Sequence, residues 1–142
     1  MAQRPNAAKR PRPLSPHMTI YRWPITMASS IAHRATGIAL AAGTAVIAWW
    51  LIAASSGPES GSFELFQSVI RTPFGQVILF GFAWSLAYHF LAGLRHLVWD
   101  FGYGFDIRTA SAFSGLIFLL SILIAIAGLV IIYTGHAGYL RQ

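Results

Sequence analysis

Cysteine is absent from the 142-residue chain. That excludes disulfides, thiolate metal centres and cysteine nucleophiles together. Charge is scarce as well. Charged residues make up 10% of the chain, against roughly 25% in soluble globular domains. The net charge of +6 is not spread over a surface. Half of the basic residues (Arg4, Lys9, Arg10, Arg12 and Arg22) crowd into the N-terminal tail, so nucleic-acid binding is not implied. That tail lacks an apolar core followed by a small-residue cleavage site and does not read as a secretory signal. An organellar transit peptide stays open but is a weak reading, since the tail is poor in serine. Prolines at 5, 11, 13, 16 and 24 oppose a continuous helix there. There is no internal repeat.

What the chain has in abundance is apolar sequence, 56% of all residues. It is gathered into three runs, over about 29–54, 73–98 and 110–134. Each is long enough for the ~20 residues that a membrane-spanning helix needs. Three segments cannot close a barrel, and backbone groups in lipid must bond internally, so helices are expected. SSGPESGSFE, with two acids, reads as a turn-rich loop after the first run, and DFGYGFDIR joins the second and third. The expected fold is an all-α membrane protein with three transmembrane helices. Residues 1–28 form a basic, Pro-rich cytoplasmic tail and surface segment, 29–136 the transmembrane domain, and 137–142 a periplasmic end. Orientation follows from the basic residues. Five precede the first run and Arg108 lies in the second loop, which puts both on the cytoplasmic (or matrix) side.

The stretch SSIAHRATG, residues 29–37, places polar residues where the chain enters lipid. A charge at the bilayer centre costs at least ~2.5–3.5 kcal/mol, so something must offset it. Ser30, His33 and Arg34 are spaced i, i+3, i+4 and share one helix face. Arg95 and His96 lie at the same membrane side, near the end of the second run. His89 is ten residues before Trp99, roughly 15 Å below that end. His89 and His96 lie two turns apart on one stripe, with Gly93 between them leaving room for a large flat group or a close helix. Two histidines on one side of one helix cannot ligate opposite faces of one iron.

Each residue also has a plainer use. A membrane histidine can serve only as a hydrogen-bonding partner between helices. Arg95 can snorkel to the headgroups. Trp49, Trp50, Trp84 and Trp99 include candidate interface anchors. His17 and His136 fall outside the lipid. Chemically, imidazole in an apolar bundle suits haem iron. Arginines at one membrane face suit propionate carboxylates. A serine hydroxyl beside an arginine suits a quinone carbonyl.

The stretch RPLSPHMTIYRWPITMASSIAHRATG, Arg12 to Gly37, closely resembles the N-terminal signature of the cytochrome b subunit of succinate dehydrogenase, respiratory complex II. HFLAGLRHLVWDFG, His89 to Gly102, resembles the second signature of that family. Both occur in the expected order, and the resemblance covers essentially all of the chain from Arg12. It implies an anchor that forms a helical bundle with a second small membrane subunit and carries a flavoprotein and an iron–sulfur subunit. It implies haem b with His89 as one axial ligand, the other coming from the partner membrane subunit. Ser30 and Arg34 match quinone-site positions. His33, Arg34, Arg95 and His96 match the surroundings of the haem propionates. Ubiquinone is the implied electron acceptor. The form of the first signature points to a bacterial inner membrane, or less readily to a mitochondrial one. Two alternatives stay open: a quinol:fumarate reductase anchor, and a purely structural membrane subunit or small transporter. A third run without charge speaks against a transporter. The chain offers no site for succinate itself.

Overall fold

The structure is a computed structural model that describes residues 17–139. Among them are four α-helices and no strand: α1 (Ile25–Ser55), α2 (Ser62–Ile70), α3 (Pro73–Asp100) and α4 (Ile107–Tyr139). The three long helices are apolar enough and long enough to cross a membrane. The tail residues 1–16, most of the basic segment expected at the membrane surface, lie outside the described residues, as do the last three, with Arg141.

The helices begin where capping chemistry allows. Pro24 occupies the N-cap of α1, so the helix starts at Ile25, four residues ahead of the expected span. Thr72 caps α3, its hydroxyl accepting from the Gly75 amide at 3.1 Å, with Pro73 in the first turn. Asp106 starts α4 at Ile107. Its Oδ2 accepts from the amides of Arg108 and Thr109 at 3.1 and 3.2 Å. Gly102 and Gly104 turn the chain between α3 and α4 with φ of 85° and 82°, which favours glycine.

The expected loop between α1 and α3 is only partly a loop. Residues 62–70 form α2, which packs against both α1 and α3. Its phenylalanine at 66 meets Trp49 edge-on at 4.9 Å. The α2–α3 corner is tight. A Cβ on Gly75 would lie 2.5 Å from the Val69 carbonyl oxygen, so only glycine fits.

Helix α3 is central, packed against α4 and α1, which also touch each other. Most buried positions are small or hydroxylated, among them Ser29, Thr36, Gly43, Ser85, Ala92, Ser114, Ser121 and Ala125. Leu, Ile and Phe point outward along all three long helices. This arrangement suits lipid, where close backbone approach and interhelical hydrogen bonds hold helices together. At Gly43 the Phe82 ring takes the space a side chain would need. Tyr88, Ala92 and Ile117 form the core, flanked by Ala32, Trp84, Leu91 and Phe118. Trp84 is therefore not an interface anchor. It lies midway along α3, and its indole N–H donates to Ser121 Oγ at 3.0 Å, because that donor has no water to use in lipid.

Candidate functional site

α1 and α3 run antiparallel, which brings the first turns of α1 beside the second half of α3. Tyr88 fixes this register. Its fully buried hydroxyl lies 2.9 Å from Ser29 Oγ and donates to the Ser29 carbonyl at 3.1 Å. The next residue, His89, is thereby set against α1. His89 Nδ1 lies 3.1 Å from the His33 carbonyl oxygen and 3.3 Å from Thr36 Oγ1. A carbonyl oxygen only accepts, so Nδ1 carries the proton and donates. Nε2 is then the bare lone pair, and it makes no hydrogen bond to a described residue. A backbone carbonyl on one ring nitrogen is the usual way a protein orients a metal-ligating imidazole. Gly37 clears the space: a Cβ there would come 3.1 Å from His89 Cε1.

His33 joins the same seam. Its ring stacks on His89 at 4.1 Å with an interplanar angle of 25°, and lies 5.1 Å from His96. Three imidazoles thus line one seam from mid-span toward the end of α3. His33 Nε2 is buried without a hydrogen-bond partner, an arrangement that costs ~1–3 kcal/mol unless a further group supplies one. His96 is exposed, and its ring meets Trp99 edge-on at 5.0 Å. Gly93 has open space around its Cα, as its position between the histidines suggests.

The trio expected on one face of α1 lies within that helix and differs in exposure. His33 turns into the α1–α3 seam. Ser30 stays half-buried, and Arg34 is exposed one turn along from it. Neither makes a side-chain hydrogen bond to a described residue, so both keep free donors. The neighbouring Ser29 does not, being committed to Tyr88.

Arg95 is not brought to the histidines' open edge, and it does not snorkel. It is 7% exposed, turned toward α4, and its Nη1 donates to Ser114 Oγ at 2.7 Å. Its guanidinium carbon stands 4.7 Å over the Trp99 ring centroid. The physical reason is helical: Arg95 is one residue, about 100° of rotation, off the His89–His96 stripe.

Residue spacing alone passed over Ser29, Tyr88, Thr36, Gly37 and Ser114. The signal for Tyr88 was available: a phenol inside a span must find a partner. Its partner was not, because Ser29 lies 59 residues away.

The model of the succinate dehydrogenase/fumarate reductase transmembrane subunit family matches residues 8–128. The chain is 44% identical over 122 residues to the succinate dehydrogenase cytochrome b556 subunit of Paracoccus denitrificans, covering 86% of this chain and 92% of the relative. It is 41% identical over 119 residues to the mitochondrial succinate dehydrogenase cytochrome b560 subunit of Sus scrofa, covering 83% and 69%. It is 38% identical over 113 residues to the cytochrome b556 subunit of Rickettsia typhi, covering 80% and 86%.

Proposed function

Because this chain belongs to the succinate dehydrogenase/fumarate reductase transmembrane subunit family, we propose that it is the cytochrome b membrane anchor of a succinate:ubiquinone oxidoreductase. In that role it holds haem b, contributes to the ubiquinone-reduction site and carries electrons arriving from an iron–sulfur subunit. The iron–sulfur subunit, itself bound to the flavoprotein, docks at the His96 end, which faces the cytoplasm of a bacterium with this chain in its inner membrane. A second small membrane subunit completes the bundle.

The observation that carries this reading is the seating of His89. Its Nδ1 is tied to the His33 carbonyl while Nε2 has no hydrogen-bond partner among the described residues. The residues present fit an iron porphyrin on that atom. Gly37 keeps the ring unobstructed, and the buried, unpartnered His33 Nε2 lies beside it. Haem b, when bound, supplies a one-electron relay inside the lipid. His89 would hold the iron through Nε2, with a further ligand coming from the partner membrane subunit. His33 and Arg34 offer donors to the propionates, His96 flanks them, and each charge-assisted bond is stronger for the low dielectric around it.

Ser30 and Arg34 form the quinone end. A hydroxyl and a guanidinium one turn apart can both donate to a carbonyl oxygen and stabilise negative charge as it develops there. The test separates two activities of the purified complex. Ser30→Ala and Arg34→Ala should each slow succinate:ubiquinone reduction ~10-fold or more, the loss expected for a donor to developing charge. Succinate oxidation by an artificial dye should stay near wild type. A parallel fall in both activities assigns these residues to assembly and overturns the quinone-site reading.

A further inference from the structure

A second polar residue is buried on the other side of α3. Arg95 carries a full charge and is 7% exposed, yet its contacts are neutral: Ser114 Oγ at 2.7 Å and the face of Trp99. Ser114 is already engaged, donating to the Ala110 carbonyl at 2.8 Å. Arg95 Nε has no partner, and Nη2 makes no hydrogen bond to a described residue. No carboxylate among the described residues pairs with it. Asp106 is spent on the start of α4, and Asp100 is exposed at the end of α3. A buried charge without an anion is expensive.

Beside this guanidinium, between α3 and α4, lies a cavity of about 220 Å³. Leu91, Leu94, Phe113, Leu116 and Leu120 line it, and Arg95 is its one charged wall. The space is far larger than one water needs, but apolar walls hold water poorly. A hydrocarbon chain suits its apolar lining. Arg95 stands five residues before the end of α3, about 7–8 Å along the axis, at the depth where acyl chains meet headgroups. Arg108, exposed in the first turn of α4, adds positive charge at the same membrane end.

We propose that the α3–α4 cleft is a binding site for one glycerophospholipid, with an acyl chain in the cavity and a phosphodiester oxygen on Arg95. The chemistry fits on both sides. The lipid brings the anion that the planar guanidinium of Arg95 lacks, and a chain that fills the cavity. Basic pockets between membrane helices hold lipid headgroups in this way. Arg95 shares the Trp99 ring with His96, so Leu116, which lines the cleft and has no part in the haem or quinone reading, is the position that tells failure of this site from failure of theirs.

The complex is purified in detergent, washed free of loose lipid and examined by native mass spectrometry as wild type, Arg95→Gln and Leu116→Trp. The wild type should retain a phospholipid. Arg95→Gln removes the charge and Leu116→Trp fills the cavity, so both should lose it, with the haem-to-flavin ratio of Leu116→Trp at the wild-type level. Equal retention in all three, or no retained lipid in the wild type, overturns the proposal. So does loss of haem from Arg95→Gln with the lipid kept, which would return Arg95 to the haem site. Should the variants fail to assemble, cryo-electron microscopy of the wild type in phosphatidylglycerol nanodiscs decides. Phosphate density on Arg95 Nη2 supports the site, and an empty cleft or a partner helix in it refutes it.

Discussion

His33 receives His89 twice: its backbone carbonyl accepts the His89 Nδ1 proton at 3.1 Å, and its own ring stacks on the His89 ring at 4.1 Å. One residue of α1 thus fixes both the tilt and the tautomer of a histidine on α3. The carbonyl contact survives any side-chain change at 33, so His33→Leu should leave the His89 ring oriented while removing the neighbour with the unpartnered nitrogen. The expected outcome is haem retained with an altered midpoint potential, read by redox titration. An unchanged potential would remove His33 from the haem surroundings.

Gly37 gives a finer probe of the same ring. Alanine there puts a Cβ 3.1 Å from His89 Cε1, so the imidazole must yield by a few tenths of an ångström. Small displacements of an axial ligand change the electronics of the metal it holds. The low-temperature electron paramagnetic resonance of the oxidised complex should therefore shift in Gly37→Ala, with assembly preserved. A β-branched residue at 37 cannot be accommodated by so small a movement and should lower haem content.

Tyr88 ties the register of the two helices. Tyr88→Phe removes both of its bonds to Ser29 and leaves the Ser29 hydroxyl without its cross-helix partner in a dry interface. A buried polar group stranded in this way costs ~1–3 kcal/mol. Thermal unfolding of the complex should register the loss. Ser29→Ala keeps the bond to the carbonyl and should cost less. A double-mutant cycle of the two measures their coupling directly.

Much of this was open to inspection in the sequence. Three apolar runs, each long enough to span, gave the three long helices, because lipid leaves the backbone no alternative to internal bonding. The seven-residue interval from His89 to His96 placed both rings on one stripe. The short helix α2 stayed hidden, since Ser, Gly and Pro around Glu59 signal turns and nine residues carry too few periods to announce a helix. The direction of Arg95 was equally hidden. Whether an arginine near a helix end reaches for headgroups or for a serine depends on which helix packs beside it, and Ser114 is 19 residues further along the chain. Trp84 failed as an interface anchor for the same reason, its partner Ser121 lying on α4.

Asp106 offers a test of how α4 begins. Its carboxylate serves two amides and the Thr109 hydroxyl at an exposed helix start. Asp106→Ala should cost about 0.5–2 kcal/mol, the usual range for a lost N-cap, read as a lower unfolding temperature with haem content unchanged. Asp106→Asn should restore most of the stability.

The native lack of cysteine makes orientation simple to measure. Single cysteines at Ser60 and at Arg108 sit at opposite ends of α3. With the His96 end in the cytoplasm, a membrane-impermeant maleimide added to intact cells should label Ser60→Cys and leave Arg108→Cys unlabelled until the cells are opened. The reverse pattern inverts the topology.

The visible absorption spectrum of the complex purified from membranes, wild type against His89→Ala and normalised to bound flavin, probes the seating of His89 most directly. Loss of the bis-imidazole haem bands per flavin is the predicted result, since Nε2 of His89 is the nitrogen that the His33 carbonyl leaves free. Haem bands of wild-type shape and intensity in the variant would contradict the assignment of His89 as the iron ligand.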